Sequence, residues 1–417
     1  MPPFNLSSPA QRAVSLVDFR AVGIGLCLLL AVPARSDAPL GFRRMVLETR
    51  FYCEGIAYGD INRDGRTDII AGPFWWEGPE FDRRHTIYEP VVADLKRHSK
   101  NFFAFTYDFN RDGWTDVMVF GFPGQDASWF ENPQGAAVPW TRHLAFPTVG
   151  NESPDFVDID RDGRPEIVCV SDGRYGYAAA NWRQPDAPWT FHPITPPGTL
   201  AKFTHGLGVG DVNNDGRVDL LEKYGWWEQP SSLVGDPVWK HHAASFAEGR
   251  GGAQMFAVDL SGDGQPDIIS GHHGHRYGLS WFEAKHSSGG GKSWVQHPIL
   301  SIDPAEKLNG VQFSQVHAIA LADMDGDGLK DIVTGKRWWA HGPTNKDPDT
   351  NGPAVVYIFM QRRDAQGKVT FEPVLVDDDS GVGTQVAVGD VNDDGCPDIL
   401  CANKKGVTIF LSIERSS

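Results

Sequence analysis

Short apolar runs recur along the chain, and seven of them follow directly on an acidic loop of nine residues. The runs are rich in β-branched residues, as at 69–72, 268–271 and 332–335, and other apolar stretches precede the loops, as at 55–59 and 318–322. Short β-branched runs bounded by Gly and Asp are typical of strands. Each loop is therefore predicted to join two antiparallel strands.

Two further patterns follow most of the loops. Paired aromatic residues predict a third strand, as at Trp75 and Trp76 or at Trp338 and Trp339. A bulky residue followed by His and an apolar end predicts a fourth, as at 140–144, 189–194 and 294–299. Four strands in a repeat of roughly 50 residues are typical of a propeller blade. The prediction is an all-β fold, a seven-bladed β-propeller with four-stranded blades.

The seventh repeat ends after its third strand, at 407–411, and lacks a fourth. Residues 42–47 resemble the fourth-strand segment 82–87. We therefore expect an N-terminal strand over 42–48 to pair with 407–411 and close the propeller, which removes its open edges. The longer fifth and sixth repeats carry insertions, and the segment from His341 to Gly352 is interpreted as a surface loop.

The acidic loops have the chemistry of a calcium site. Oxygen-bearing side chains occupy positions 1, 3, 5 and 9, and a Gly at position 6 allows a sharp turn around a hard cation. No acidic residue at position 12 enters a helix, because strand residues follow each loop instead, so the loops are not EF-hands. Up to seven structural Ca²⁺ ions are predicted, with a weaker site at Ser261. The predicted ligands are Asp60, Asn62, Asp64, Asp68, Asp108, Asn110, Asp112, Asp116, Asp158, Asp160, Asp162, Glu166, Asp211, Asn213, Asp215, Asp219, Asp259, Ser261, Asp263, Asp267, Asp323, Asp325, Asp327, Asp331, Asp390, Asn392, Asp394 and Asp398.

These loops, together with the Ile-Ile-x-Gly motif that follows them, resemble FG-GAP or VCBS repeats over residues 42–413. Such repeats form the calcium-binding blades of integrin α-subunit heads and of many secreted bacterial proteins. The resemblance implies the fold and the calcium, and it implies no particular function. A weaker resemblance is carried by the Trp-Phe-Glu and Trp-x-x-His-Pro-Ile motifs, which are similar to sequences in the propeller domain of fungal aldos-2-ulose dehydratase, a sugar lyase. No catalytic residue is carried over from that enzyme.

The net charge of −16 is mostly ligand charge, because the four ligand positions of the seven loops hold 23 acidic side chains. No basic stripe offsets it, which argues against nucleic-acid binding. An apolar run at 21–32 after Arg12 and Arg20 predicts a signal peptide over 1–34, a propeller over 35–417, and a secreted or periplasmic protein without a membrane partner after cleavage. A retained anchor is the alternative. Cys53 and Cys401 are expected to form a disulfide or to remain buried thiols.

Counting back about six residues from each loop finds a polar residue in every repeat, at one depth around the propeller axis. This ring predicts a ligand-binding funnel on the face opposite the calcium loops. The alternative is a channel lined by satisfied polar groups and water. The ring consists of Glu54, Asn101, Glu152, His205, Gln254, His317 and Gln385.

The loops between second and third strands bring cations, imidazoles and phenols to the same face. They suit an anionic or enolate-forming ligand such as a uronic acid or keto-sugar. The predicted catalytic residues are His205, His273, His317 and Tyr277. The predicted substrate-binding residues are Glu54, Asn101, Glu152, Arg174, Tyr175, Lys223, Tyr224, His272, His275, Arg276, Lys336 and Arg337.

Two functions remain open from the sequence. The first is a lyase or dehydratase acting on a sugar derivative, in which His or Tyr removes a proton beside a carbonyl and Arg or Lys stabilises the enolate. The second is a non-catalytic module that binds a glycan or a protein through the same face. An enzyme should place a base and a cation within reach of one point.

Overall fold

The computed structural model describes residues 40–248, 251–286, 292–344 and 347–413. Every regular element within these ranges is a β-strand, so the all-β prediction is confirmed. In this part of the chain no helix has the length and apolar character to cross a membrane. The predicted signal peptide lies outside the described residues.

The strands follow one another in short steps. In chain order they are β1 (Gly41–Glu48), β2 (Ile56–Gly59), β3 (Asp68–Ala71), β4 (Phe74–Trp76), β5 (Arg84–Thr86), β6 (Phe103–Tyr107), β7 (Asp116–Phe120), β8 (Gln125–Glu131), β9 (Thr141–Val157), β10 (Glu166–Ser171), β11 (Arg174–Ala179), β12 (Thr190–Pro193), β13 (Leu207–Gly210), β14 (Asp219–Glu222), β15 (Gly225–Glu228), β16 (Lys240–Ala243), β17 (Gln254–Val258), β18 (Asp267–Gly271), β19 (Leu279–His286), β20 (Lys292–Leu300), β21 (Val316–Ala322), β22 (Asp331–Lys336), β23 (Val356–Arg363), β24 (Val369–Asp377), β25 (Val386–Gly389), β26 (Asp398–Asn403) and β27 (Gly406–Ile413).

The sheets of the β-propeller are built from antiparallel groups of four strands. Three sheets have four strands each. A seven-stranded sheet consists of two groups that share the long strand β9, and an eight-stranded sheet consists of two groups joined by the parallel pair β13 and β17. This order is consistent with the predicted seven four-stranded blades, numbered one to seven in chain order.

The closing strand lies where the sequence predicted it. Strand β1 pairs antiparallel with β27, from Gly41 opposite Ile413 to Glu48 opposite Val407. The fourth strand of blade seven therefore comes from the N-terminal side of the propeller. Because this pair covers the outer edge of β27, blade seven exposes no unpaired third strand.

Each acidic loop joins the first two strands of a blade, as predicted. In blade one the pair β2 and β3 meets the loop at Gly59 opposite Asp68. The glycine at loop position 6 has a φ between 82° and 88° in all seven loops, a conformation that favours glycine. These glycines are Gly65, Gly113, Gly163, Gly216, Gly264, Gly328 and Gly395.

Third and fourth strands are fastened by a repeated contact between Trp, His and Glu. In blade four the rings of Trp226 and His242 stack with centroids 4.0 Å apart, and His242 Nε2 lies 2.6 Å from Glu228 Oε2. The same arrangement occurs in blades one, two and five, at Trp75, His85 and Glu77, at Trp129, His143 and Glu131, and at Trp281, His297 and Glu283.

The apolar core lies between neighbouring blades. Ile70 and Trp75 of blade one, for example, pack with Val117 and Phe130 of blade two. Both faces of the middle strands are thus buried, which explains why their sequences are continuously apolar. Cys53 and Cys401 are free thiols within this core, as in the second of the two alternatives.

One predicted strand is wrong. Trp338 and Trp339 form no strand, and the third strand of blade six is β23, which begins only at Val356. The aromatic pair belongs to an insertion that leaves the blade after β22. Because the insertion starts at Arg337, which makes a parallel bridge to Val382 of the next blade, it begins beside the propeller axis.

Candidate functional site

The acidic loops fold as preformed cradles of oxygen atoms. In loop one, Asp60 Oδ2 accepts a hydrogen bond from the Gly65 N–H at 3.1 Å, while the buried Asp60 Oδ1 has no hydrogen-bond partner. The buried Asp68 carboxylate accepts N–H bonds from Ile61 and Gly78. A set of oxygen ligands with one orphaned carboxylate oxygen fits a hard cation such as calcium.

Electrostatics point the same way. Burial, reinforced by neighbouring carboxylates, raises the pKa of Asp116 and of Asp219 to about 7 and that of Glu166 to about 8. In loops three and six, three carboxylates offer oxygen atoms within 4.8 Å of one another, from Asp158, Asp160 and Glu166 and from Asp323, Asp325 and Asp331. A bound cation would relieve this crowding. In loop six Arg362 already contributes a positive charge, 3.0 Å from Asp325.

A second group of polar residues meets at the other end of the inner strands, away from the acidic loops. We call it the central cluster. Its residues come from five blades and are at most 7 % exposed, so it is a buried group and not the open funnel that the sequence suggested. The central cluster consists of Glu54, Glu152, His205, His275, His317 and Arg337.

Arg337 connects the two carboxylates of the central cluster. Its Nη2 donates to Glu54 Oε1 at 2.7 Å, and its Nη1 lies 3.3 Å from Glu152 Oε2. The guanidinium is 1 % exposed and lies over the ring of Phe102. The position follows from local structure, because Arg337 comes directly after β22, where the second strand of blade six ends beside the axis.

Two fully buried imidazoles flank Glu152. His317 Nε2 is 3.1 Å from Glu152 Oε2, and His205 Nε2 is 3.3 Å from the same oxygen. The other ring nitrogen of His205, Nδ1, lies 3.0 Å from the Phe203 carbonyl oxygen. His275 joins from blade five, with its ring centroid 4.8 Å from that of His205.

Burial and charge act in opposite directions on this group. Burial alone would raise the pKa of Glu152, but His205 and His317 hold it well below the usual range. Burial also opposes ionisation of Glu54, yet Arg337 keeps its pKa low. For His317, burial and the Arg337 charge lower the pKa to about 3. The site therefore combines ionised carboxylates with a neutral His317 ring.

Three residues at the rim were not among the predicted site residues. The ring of His98 stacks on Phe122, and its Nδ1 is 3.4 Å from Arg337 Nη2. The ring of His341 lies 4.5 Å from that of His275. The Lys404 ammonium is buried without a hydrogen-bond partner, and burial lowers the pKa of Lys404 to about 8.

The sequence held only weak signals for these three. His98 stands in the segment that enters blade two, His341 in the insertion of blade six, and Lys404 in the loop between β26 and β27. No local pattern distinguishes a loop that lies over the face from one that points into solvent. The interpretation of the segment beginning at His341 as a surface loop missed its contact with the central cluster.

The other ring members hold neighbouring blades together. Gln385 Oε1 accepts N–H bonds from Ile56 of blade one and Ala104 of blade two, at 3.1 and 3.0 Å. Gln254 Oε1 accepts one from Ile319, and the amide of Asn101 donates to the Tyr88 hydroxyl. For Gln254 and Gln385 the alternative of satisfied polar groups describes the structure, whereas the buried Asn101 Oδ1 has no hydrogen-bond partner.

Several predicted site residues lie elsewhere in their blades. The His272 ring points into blade five, with Nε2 2.8 Å from Ser280 Oγ. Tyr175 is buried in the core between blades three and four. Lys336 pairs with Asp349 at 2.6 Å. A residue in a strand or tight turn sends its side chain to one side only, so neighbours in sequence are separated.

The remaining predicted residues are peripheral. Arg174 pairs with Asp172, and the Lys223 ammonium lies 4.7 Å from the centre of the exposed Tyr224 ring. Arg276 is exposed and Tyr277 half-buried. His273 is also half-buried, with its Nδ1 accepting the His275 N–H at 3.2 Å. Of the predicted catalytic residues, the structure thus brings together His205 and His317.

Family models match the chain in three places. The model of the FG-GAP-like repeat matches residues 108–169 and 158–222, and that of the FG-GAP repeat matches 382–408. The chain therefore contains FG-GAP repeats. The matched segments contain acidic loops two, three, four and seven. No curated protein matches the chain significantly.

Solved structures that resemble it share little sequence. BBS1N in complex with ARL6DN has a TM-score of 0.48 and 12% identity, covering 90% of this chain and 97% of that chain. An Agrocybe aegerita lectin that recognises non-reducing terminal N-acetylglucosamine has a TM-score of 0.45 and 14% identity, covering 91% and 87%. The exotype rhamnogalacturonan lyase YesX has a TM-score of 0.45 and 16% identity, covering 91% and 74%. At these values nothing about ligand or activity follows.

Proposed function

We propose that this protein is a secreted, calcium-stabilised propeller that binds a sugar derivative at its central face and acts on it as a lyase or dehydratase. The observation that carries the proposal is the central cluster. Imidazoles, carboxylates and a guanidinium from five blades meet there with the rim residues His98, His341 and Lys404. Acid–base groups and cations close to one point are what such chemistry requires.

The rim supplies a base and a cation. His98 is half-buried, and burial and the Arg337 charge lower its pKa to about 4, so its ring is a neutral base at pH 7. A base of this kind would take the proton beside the carbonyl or carboxylate of the sugar. The electron pair left on carbon becomes an enolate, and expulsion of the β-oxygen completes the elimination.

Lys404 is suited to hold the negative charge of the ligand. Its buried ammonium has no hydrogen-bond partner, and the charges of Glu54, Arg337 and Asp94 act on its pKa. A cation in a buried site attracts a carboxylate or a developing enolate far more strongly than one in water. This favours a uronic acid or keto-sugar over a neutral glycan.

The most buried imidazoles have a different role. His205 and His317 are 0 % exposed, so they do not reach a ligand in solvent. They fix the position and ionisation of Glu152 instead. We therefore propose a structural role for these two residues in place of the predicted catalytic one, and we assign direct contact with the sugar to the half-buried His98.

A substrate screen tests the proposal. Purified protein is incubated with polyuronates and keto-sugars, and the unsaturated product of elimination is followed by its ultraviolet absorbance. With a substrate in hand, His98→Ala should reduce kcat by about 10² to 10⁴. His297→Gln is the matched control, because His297 packs on Trp281 in an outer strand far from the inner strands.

The outcomes separate the two functions. Turnover that falls in His98→Ala and persists in His297→Gln supports the lyase. Binding of a glycan or a protein without turnover, abolished by Lys404→Met, would establish the non-catalytic module in its place. The absence of both turnover and ligand binding would overturn the proposal.

A further inference from the structure

The geometry of the central cluster points to a second kind of metal site: we infer that Glu152, His205, His275 and His317 bind one divalent transition-metal ion, best matched by Zn²⁺. Each of the four residues offers one ligand atom, and these atoms all lie within 4.8 Å of one another. The four side chains are buried and come from four successive blades, three to six. The inference needs no sugar ligand and is tested without one.

The separations suit a tetrahedral ion. With bonds of 2.0 to 2.1 Å, the ligands of tetrahedral zinc are about 3.3 Å apart. In the structure Glu152 Oε2 is 3.1 Å from His317 Nε2 and 3.3 Å from His205 Nε2. Two of the distances to the carboxylate oxygen therefore already match, and the His275 ring offers a further nitrogen within 4.8 Å of the other ligand atoms.

The orientation of His205 is the independent observation. Its Nδ1 lies 3.0 Å from a backbone carbonyl oxygen, which can only accept, so Nδ1 carries the proton in the neutral ring. The buried Nε2 then presents a lone pair, and it has no hydrogen-bond partner. It faces the Glu152 carboxylate, another acceptor. Two acceptors at 3.3 Å repel each other unless a proton or a metal ion lies between them, and a carbonyl that fixes the far nitrogen is the usual support of a metal-bound imidazole.

The backbone of blade five is shaped around the two inner rings. A Cβ placed on Gly274 would lie 2.5 Å from His205 Cδ2 and 3.3 Å from His317 Cδ2. Only glycine lets the loop approach so closely. The next residue is His275, whose ring lies 4.8 and 5.6 Å from the rings of His205 and His317. The close approach therefore delivers the third imidazole to the cluster.

The ligand types decide the metal. Three imidazoles and one carboxylate form a set typical of zinc and its first-row neighbours, whereas Ca²⁺ takes six to eight oxygen atoms. The charges are also compatible. Arg337 and a divalent ion together face the carboxylates of Glu54 and Glu152, and the resulting local charge of about +1 would suit an anionic ligand at the rim.

Metal analysis of the full chain tests the inference. Protein loaded with Zn²⁺ or Co²⁺ is dialysed against metal-free buffer that contains Ca²⁺, which keeps the acidic loops filled, and the bound Zn²⁺ or Co²⁺ is counted by mass spectrometry. One equivalent should remain, and the cobalt form should show the intense visible bands of a tetrahedral site. His275→Ala and Glu152→Gln should each bind Zn²⁺ at least about 100-fold more weakly in competition with a chromophoric chelator.

His297→Gln serves as the matched control, since it removes an imidazole from the same blade outside the central cluster. It should retain one equivalent and the visible bands. Far-ultraviolet circular dichroism checks that each variant is folded, and using two ligand variants keeps the test decisive if one does not fold. Binding of less than one equivalent by the native chain, or equal affinity in all variants, would overturn the metal site. Zinc binding without any sugar chemistry would overturn only the proposed function.

Discussion

At the scale of single residues, the central cluster depends on Arg337. The guanidinium is 1 % exposed and contacts Glu54, Glu152, His317 and His98. Each buried carboxylate would otherwise lie in a low-dielectric environment without a counterion. The residue sits after the second strand of blade six, and one of its partners is 283 positions away in the sequence.

Replacing this arginine should be costly. Arg337→Ala removes the counterion of two buried carboxylates, and we expect the free energy of unfolding to fall by about 3 to 5 kcal/mol. Denaturant titration measures it. The control is Arg142→Ala, which breaks an exposed pair with Asp126 and should cost less than about 1 kcal/mol. Equal losses in the two variants would contradict a special role for Arg337.

The pair also predicts a dependence on pH. Arg337 holds the pKa of the buried Glu54 below its usual value, against the effect of burial. A carboxyl whose pKa is lowered in the folded state stabilises the protein above its unfolded pKa and loses that contribution as the pH falls through the folded pKa. As the pH falls from about 5 to about 3, the free energy of unfolding of the native protein should therefore decrease more than that of the Glu54→Gln variant.

Thermal unfolding of both proteins at a series of pH values measures the effect. The difference between their melting temperatures is the quantity of interest, because the acidic loops titrate equally in both. A constant difference across the range would show that Glu54 does not carry the linkage.

At the scale of elements, an amide at the end of the third strand ties even-numbered blades to the blade before them. Gln229 donates from its side chain to the carbonyl oxygen of Ile159, in acidic loop three, while its own N–H bonds to Asp219. Asn132 reaches Ile61 and Gln361 reaches Leu260 in the same way. Each acidic loop that receives such a bond is thus fixed to the next blade.

The amide link should be measurable. Gln229→Ala leaves the buried carbonyl oxygens of Ile159 and Val218 without this donor, and we expect a loss of about 1 to 3 kcal/mol in the free energy of unfolding. The exposed Gln366 provides the control, since Gln366→Ala should change stability by less than about 0.5 kcal/mol. A loss no larger than that of the control would mean that the link is not needed.

At the scale of the whole molecule, proposed calcium binding couples the blades through charge. The seven loops hold 23 acidic side chains at their ligand positions, and the carboxylate at position 9 is buried in each loop. Without a cation these carboxylates repel one another and lose hydration. A ligand that binds only the folded state raises its stability in proportion to the logarithm of its concentration.

Removal of calcium should therefore lower the melting temperature of the entire chain. At a free calcium concentration 100 times the dissociation constant, each site contributes about 2.7 kcal/mol. Calorimetry with excess EGTA and after calcium is restored measures the change, and Mg²⁺ at the same concentration controls for ionic strength. An unchanged melting temperature in EGTA would contradict structural calcium.

The sequence determined the repeating parts of this protein, because they depend on contacts within about 20 residues. The nine-residue loop is specified by its glycine and its carboxylates, and the strands beside it by their β-branched residues. The closing strand was predictable too. Residues 42–47 have the sequence pattern of a fourth strand, and the seventh repeat is the one that lacks a fourth strand of its own. The exception was the aromatic pair Trp338 and Trp339, whose resemblance to a third strand is purely local.

Tertiary structure alone decided which polar residues meet. The sequence placed Glu54, Glu152, His205 and His317 at one depth, but Gln254 and Gln385 share that depth and instead bond to neighbouring strands. Likewise His275 faces the cluster, while His272 turns into its blade. The direction of a side chain at the axis depends on strand register and on how closely the loops approach, as at Gly274. Those contacts join residues more than 100 positions apart, beyond the reach of any local pattern.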